Sequence, residues 1–143
     1  MKNLIFNLNL ICAFYMCGII WIIQIIHYPS FLLIRAESFQ KFHLKHTSTM
    51  GLIVGPVMAI ELVATTYLLK YEVSLISTLN LFCVLSLWLL TFFVSVPLHN
   101  ALSSGQDILI IQRLIQSNWP RTILWTFKAL LLSYWFIFYK NIF

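Results

Sequence analysis

The four histidines of this 143-residue sequence come from three separate segments. His27 and His99 each follow a long apolar run, and His43 and His46 lie three residues apart between two such runs. Neutral imidazole is the commonest side-chain metal ligand in proteins, and three or four converging rings suit zinc, iron or copper. If the three segments meet, these histidines predict a site for a transition metal or a haem.

The same histidines also suit a structural role. An imidazole has an apolar body and a polar edge, so it fits a helix end at a membrane surface. The sequence has no HExxH motif and no Cys/His pair at zinc-finger spacing. Both roles therefore stay open on the sequence alone.

Two charged residues inside apolar runs form a second candidate site for a ligand. Glu61 lies about 16 Å inside its run at 1.5 Å per residue, and Lys128 lies at a similar depth in a later run. A charge at that depth costs about 2.5–3.5 kcal/mol on insertion scales, so it needs a buried partner. We predict contact between Glu61 and Lys128, with Arg121 as the second choice. The pair suits a substrate or proton site, or a structural ion pair. Glu61 lies fifteen residues after His46, or about 22 Å along a continuous helix, so the two should not share a metal ion.

The composition places all these residues in a membrane protein. The sequence is 61% hydrophobic and 9% charged, against roughly 45–50% and about 25% for a soluble domain. This balance, with a mean hydropathy of +0.90, excludes a water-soluble globule and a disordered chain. The nine Lys and Arg residues are too scattered for a nucleic-acid surface. We predict an all-α integral membrane protein whose main partner is the lipid bilayer.

Four apolar stretches are each long enough to cross a hydrocarbon core, which takes about 20 residues. They cover about residues 8–28, 50–69, 73–97 and 119–139. The fourth is the weakest, because it contains Arg121 and Lys128. The chain is therefore predicted to be one domain, a four-helix transmembrane bundle.

The two longer connections carry an amphipathic pattern of their own. Residues 37–49 and 100–118 place apolar side chains at helical spacing on one face and basic or amide side chains on the other. The histidines at 43 and 46 share the apolar face of the first segment. We therefore predict an interfacial helix after span one and another after span three.

Basic residues favour one orientation of this bundle. An even number of spans places both termini on one side and both long connections on the other. Five basic residues lie on the side of the connections: Arg35, Lys41, Lys45, Arg113 and Arg121. Three lie on the side of the termini: Lys2, Lys70 and Lys140. Because basic loops are retained in the cytoplasm, the connections are predicted to be cytoplasmic and the termini to be outside.

A stripe of small residues lies on span two. Gly51, Gly55 and Ala59 recur every four residues, which lets two helices approach closely in lipid. The stripe predicts packing against a neighbouring span or against a second copy of the chain in a homo-oligomer. It also surrounds Pro56, so a hinge is the alternative.

Two segments carry a resemblance to known proteins. The sequences PLHNALSSG at 97–105 and NWPRT at 118–122, with the His-Tyr-Pro that starts at His27, resemble a group of uncharacterised small four-span bacterial membrane proteins. This resemblance covers nearly the whole chain and implies the bacterial inner membrane. More distantly, the chain is similar to the anthrone-oxygenase-like domain-of-unknown-function family, some members of which are linked to oxidation of polycyclic aromatic substrates. That similarity implies an oxidoreductase, and it assigns no catalytic residue here.

We expect a polar pocket at the end of the bundle that carries the connections. Its residues are His27, His43, His46, His99, Asn100 and Arg121, and it holds a metal ion or a small ligand. As an enzyme, it would use a redox metal or haem to oxidise an apolar small molecule entering from lipid. The alternatives are a non-catalytic membrane subunit or assembly factor, and an oligomeric transporter that uses Glu61 as a proton-linked acid.

Overall fold

The computed structural model describes residues 1–138 as four long helices. They are α1 (Lys2–Leu33), α2 (Ala36–Tyr71), α3 (Leu75–Ser104) and α4 (Ile108–Phe138). No strand occurs in this part of the chain. The predicted all-α class is confirmed. The last residue of the fourth predicted span, Tyr139, lies outside the described residues.

Short connections make consecutive helices antiparallel. Ser74 caps α3 by accepting a hydrogen bond from the backbone N–H of Ser77 at 3.2 Å. Asp107 caps α4 in the same way through the N–H of Ile110, at 3.0 Å. Gly105 has a φ of 150°, which glycine adopts without steric penalty, and so makes the turn between α3 and α4. The end of the bundle that carries the α1–α2 and α3–α4 connections is called the loop-side end below.

The two amphipathic segments are helical, but they are not separate helices. Residues 37–49 form the first part of α2, and residues 108–118 form the first part of α4. The prediction of independent interfacial helices is wrong because each segment continues directly into the long helix that follows it. Pro120, at the second junction, has no N–H for the i to i−4 hydrogen bonds, but it does not end α4. The predicted faces are correct, since His43 and His46 are buried while Lys41 and Lys45 are exposed.

Three of the helices, α1, α2 and α3, are long and apolar enough to cross a membrane. This identifies the chain as a membrane protein. The fourth, α4, has 31 residues, but Arg121 and Lys128 lower its hydropathy and it is not one of the three. Large apolar side chains such as Phe82, Phe93 and Ile137 are 64–74% exposed on the outer surface, as lipid contact requires.

The helices pack in a closed ring, with α1 against α2, α2 against α3, α3 against α4 and α4 against α1. One apolar cluster lies towards the loop-side end and includes Phe31, Phe39 and Trp125. Another lies towards the termini and includes Phe6 and Trp135. These two clusters hold the ring together at both ends.

Each of α1 and α3 changes its helical winding near the loop-side end. Ile23–His27 in α1 and Thr91–Ser95 in α3 are π-helical. Each is followed within two residues by a proline, Pro29 or Pro97, which has no N–H for the helical ladder. Such π segments rotate the residues that follow them and are frequent at functional sites.

Candidate functional site

The four histidines meet at the loop-side end in two hydrogen-bonded pairs. His27 Nε2 lies 2.7 Å from His46 Nδ1, and His43 Nε2 lies 3.0 Å from His99 Nδ1. The pairs adjoin each other, with 5.3 Å between the ring centroids of His46 and His99. The predicted convergence of three distant segments is therefore confirmed.

Tyr28 extends the second pair into a chain of three groups. Its hydroxyl lies 3.0 Å from His99 Nε2, and its side chain is 3% exposed. Tyr28 was not predicted to be a site residue. Its position directly after His27 and before Pro29 is the only signal that marks it.

Arg121 lies in a buried network beside the histidines, and its guanidinium also interacts with the Tyr28 hydroxyl. Its Nη1 donates to Ser95 Oγ at 3.1 Å and to Asn118 Oδ1 at 3.0 Å. Asn118 in turn donates to Gln24 Oε1 at 2.9 Å. None of Gln24, Ser95 and Asn118 was predicted to be a ligand-site residue, although Gln24 and Ser95 are both polar residues within otherwise apolar runs.

The positive charge of Arg121 has no negative partner in residues 1–138. The ion pair in this part of the chain is between Lys128 and Glu61. The partners of Arg121 are neutral, namely the hydroxyls of Ser95 and Tyr28 and the amide of Asn118. Arg121 is 6% exposed, and no described residue accepts a hydrogen bond from its Nε. Buried charges are ordinarily paired, so a guanidinium with only neutral partners is unusual.

A cavity of about 330 Å³ lies between α2 and α3 and reaches Arg121. We call it the α2–α3 cavity. Its polar wall includes Tyr28, His46, His99, Asn100 and Arg121, and its apolar wall includes Met50, Met58, Trp88 and Phe92. The site therefore combines a polar end with an apolar body.

The α2–α3 cavity meets the lipid-facing surface of the bundle. Gly51, Gly55 and Phe92 line it and are exposed on the outside. The Nε1 of Trp88, in its apolar wall, is buried and has no acceptor among the described residues. Two unused N–H donors, one from Trp88 and one from Arg121, thus belong to residues of the same cavity.

The small-residue stripe has a different surrounding from the one expected of a tight helix contact. A Cβ added at Gly51 or Gly55 would meet no atom within 4 Å, and both residues border the α2–α3 cavity. Ala59 lies in a shallow apolar groove with Ile5 and Leu8 of α1. Packing of this stripe against a second copy stays a prediction.

Glu61 and Lys128 contact each other as predicted, away from the histidines. The ammonium of Lys128 donates to Glu61 Oε1 and to Asn9 Oδ1 at 3.1 Å. Asn9 donates to Thr65 at 2.9 Å. All four side chains are 0% exposed, and none of them lines the α2–α3 cavity. The structure thus separates the candidate residues into two sites, with Asn100 and Arg121 in one and Glu61 and Lys128 in the other.

The histidine pairs are arranged for hydrogen bonding. In residues 1–138, no group of three or more His, Cys, Asp or Glu side chains is set to hold a metal ion. In each pair, one ring nitrogen of a histidine contacts one ring nitrogen of the other. A metal at His27, His43, His46 and His99 stays a prediction.

No protein family model, no curated protein and no solved structure matches this chain.

Proposed function

We propose that this membrane protein binds an apolar, flat small molecule whose oxygen atom accepts hydrogen bonds in the α2–α3 cavity. The observation that carries the proposal is the buried guanidinium of Arg121 in the cavity wall, which has no anionic partner in residues 1–138 and no acceptor for its Nε there. A phenol, a quinone or a carboxylate on an aromatic body has the required chemistry.

The buried charge of Arg121 is the reason to expect an oxygen acceptor on the ligand. Taking an ion out of water costs several kcal/mol unless a partner compensates it. Neutral groups on Ser95 and Asn118 supply part of that compensation, and a carbonyl, phenolate or carboxylate oxygen supplies the rest. Hydrogen bonds between an arginine and such an oxygen are charge-assisted and strong.

The apolar wall of the α2–α3 cavity is the reason to expect a flat, apolar body on the ligand. Trp88 and Phe92 stack with 5.2 Å between their ring centroids, and Met50 and Met58 are in the same wall. Thioether side chains make favourable contacts with aromatic rings. A volume of about 330 Å³ is at the lower end of small-molecule sites, which run from about 300 to about 1,000 Å³. The ligand would enter from the lipid, because the cavity opens there between the exposed residues Gly51, Gly55 and Phe92.

We further propose that α4 is the fourth span, in the bacterial inner membrane, with the loop-side end cytoplasmic. The two charges of α4 that reduce its hydropathy are buried inside the bundle, where Lys128 has an ionic partner. A cysteine placed at the exposed loop-side Ser38, in a chain without its native cysteines, is expected to react with a membrane-impermeant maleimide only after cell permeabilisation. Reaction of this cysteine in intact cells would show that the loop-side end lies outside the cytoplasm, the opposite of the proposed orientation.

Binding of 2-naphthol to the purified protein tests the proposed function. We expect 2-naphthol to quench the tryptophan fluorescence, to which Trp88 in the cavity wall contributes. It should bind at least about tenfold more tightly than naphthalene, a difference of about 1.4 kcal/mol, because only the naphthol offers an oxygen. Equal affinities would contradict the proposal and favour a non-catalytic subunit. A stoichiometric metal that is lost from a His43→Ala, His46→Ala variant would support the metal site instead.

The variant Gly55→Leu localises this binding. The added side chain enters the open space of the α2–α3 cavity and is expected to weaken 2-naphthol binding by at least about tenfold, or about 1.4 kcal/mol. Gly18→Leu on α1 is the matched control, because a Cβ there also meets nothing within 4 Å and Gly18 does not line the cavity. Similar losses in both variants would place the ligand elsewhere.

A further inference from the structure

A second cavity lies beside the first at the loop-side end. It has a volume of about 450 Å³ and is lined by residues of α2 and α3 that include Gln40, Lys41, His43 and Ser103. Gln40, Lys41 and Ser103 are exposed, so this loop-side cavity opens to the polar surface of the bundle. His99 lines both cavities and is a wall between them.

Three side chains connect the two cavities through hydrogen bonds. Tyr28, in the wall of the α2–α3 cavity, lies 3.0 Å from His99 Nε2. The other nitrogen of the same ring, Nδ1, lies 3.0 Å from Nε2 of His43, which lines the loop-side cavity. Both nitrogens of His99 are therefore engaged, one towards each cavity.

An imidazole in this position can transfer protons. It accepts a proton on one nitrogen and releases another from the second nitrogen. The Tyr28 hydroxyl donates or accepts equally well. The donor and acceptor atoms are 3.0 Å apart in both contacts, which is within the range for direct proton transfer.

We propose that Tyr28, His99 and His43 form a proton relay between the ligand in the α2–α3 cavity and water in the loop-side cavity. The inference rests on the proposed function for its ligand, which must then carry an ionisable O–H, as a phenol or a quinol does. His27 and His46 form the other pair and are not part of the relay.

The transfer balances without a change of oxidation state. The ligand O–H bond breaks as its proton passes to Tyr28, whose own proton forms an N–H bond at His99 Nε2. The Nδ1–H bond of His99 breaks as a proton reaches Nε2 of His43, and His43 releases its Nδ1 proton to water. The ligand is left as an oxyanion in the cavity lined by Arg121, whose positive charge stabilises it.

The first experiment needs no ligand. Exchange of the His99 ring proton with water is followed by nitrogen-15 NMR in the full chain and in His43→Phe, which keeps an aromatic ring in this position. We expect exchange to slow by about 10²-fold, the lower end of the contribution of a positioned acid–base group. Exchange that is unchanged or faster in His43→Phe overturns the relay.

The second experiment connects the relay to the cavity. A pH jump is applied to protein with bound 2-naphthol, whose fluorescence distinguishes naphthol from naphtholate. We expect His43→Phe to slow this relaxation by about 10²-fold without changing the affinity, and soluble imidazole to restore the rate in His43→Ala. An unchanged rate with normal binding overturns the relay alone. Absence of naphthol binding overturns the proposed function alone, and the ligand-free exchange still decides the relay.

Discussion

Replacing Lys128 with methionine is expected to lower the free energy of unfolding by about 3–5 kcal/mol, the usual effect of removing one partner of a buried ion pair. Glu61 would remain 0% exposed with no cation, and its Oε2 already has no hydrogen-bond donor among residues 1–138. Asn9 would lose its donor as well. Unfolding of the detergent-solubilised protein measures the difference.

The double variant Glu61→Leu, Lys128→Met separates ion pairing from packing. With both charges removed, an apolar pair of similar volume is expected to recover most of the lost stability. Lys70→Met on the exposed end of α2 is the control and should stay within about 0.5 kcal/mol of the original protein. A double variant as unstable as the sum of the two single ones would show that the residues act independently.

This experiment also separates the two interpretations of Glu61. A structural ion pair predicts that the stable double variant still binds 2-naphthol, because neither Glu61 nor Lys128 lines the α2–α3 cavity. A proton-linked transporter predicts that Glu61→Gln abolishes transport in vesicles while the protein stays folded. The full burial of both side chains favours the structural role.

Replacing Arg121 with leucine is expected to weaken binding of 2-naphthoate by about 10²-fold, or about 2.7 kcal/mol. The reason is that the carboxylate loses a charge-assisted hydrogen bond, which contributes about 1.5–3 kcal/mol. Binding of naphthalene should change little, because the apolar wall with Trp88 and Phe92 is intact. Fluorescence titration of both compounds provides the comparison.

Two further variants control the Arg121 experiment. Arg113→Leu removes an exposed charge from the same helix and should leave naphthoate binding unchanged. Arg121→Lys keeps the charge but loses the planar fork of donors, so it should recover only part of the affinity. If Arg113→Leu weakens naphthoate binding as much as Arg121→Leu does, general electrostatic attraction explains the binding and the cavity does not.

The meeting of the histidines was predictable because the membrane fixes so much of the topology. Long apolar runs must be helices, and short connections alternate their direction. His27 and His99 therefore had to lie at the same end as the segment with His43 and His46. The contact between Glu61 and Lys128 was predictable for a related reason, since buried charges at similar depth seek each other.

The partners within the site were not predictable from the sequence. The π segments at Ile23–His27 and Thr91–Ser95 rotate the residues after them, and apolar periodicity does not reveal that rotation. The contact of Tyr28 with His99 and that of Ser95 with Arg121 depend on it. The separate interfacial helices were also wrong, because an amphipathic pattern does not show where one helix ends.

The α2–α3 cavity results from the way the helices pack, so it could not be predicted from the hydropathy of the sequence. Gly51 and Gly55 suggested a close helix contact, whereas the structure leaves open space beside both. The sequence likewise does not show that Arg121 has no anionic partner in residues 1–138, because this depends on the position of every neighbouring side chain. Of the metal ion and the small ligand expected from the sequence, these two features favour the small ligand, as an apolar molecule that carries an oxygen.

A structure of the protein with 6-bromo-2-naphthol tests that interpretation most directly. Anomalous scattering locates the bromine, and the density shows the direction of the hydroxyl. We expect bromine beside Phe92 and the naphthol oxygen within about 3.5 Å of a nitrogen of Arg121, a hydrogen-bond distance. An empty α2–α3 cavity with the bromine on another surface would contradict it.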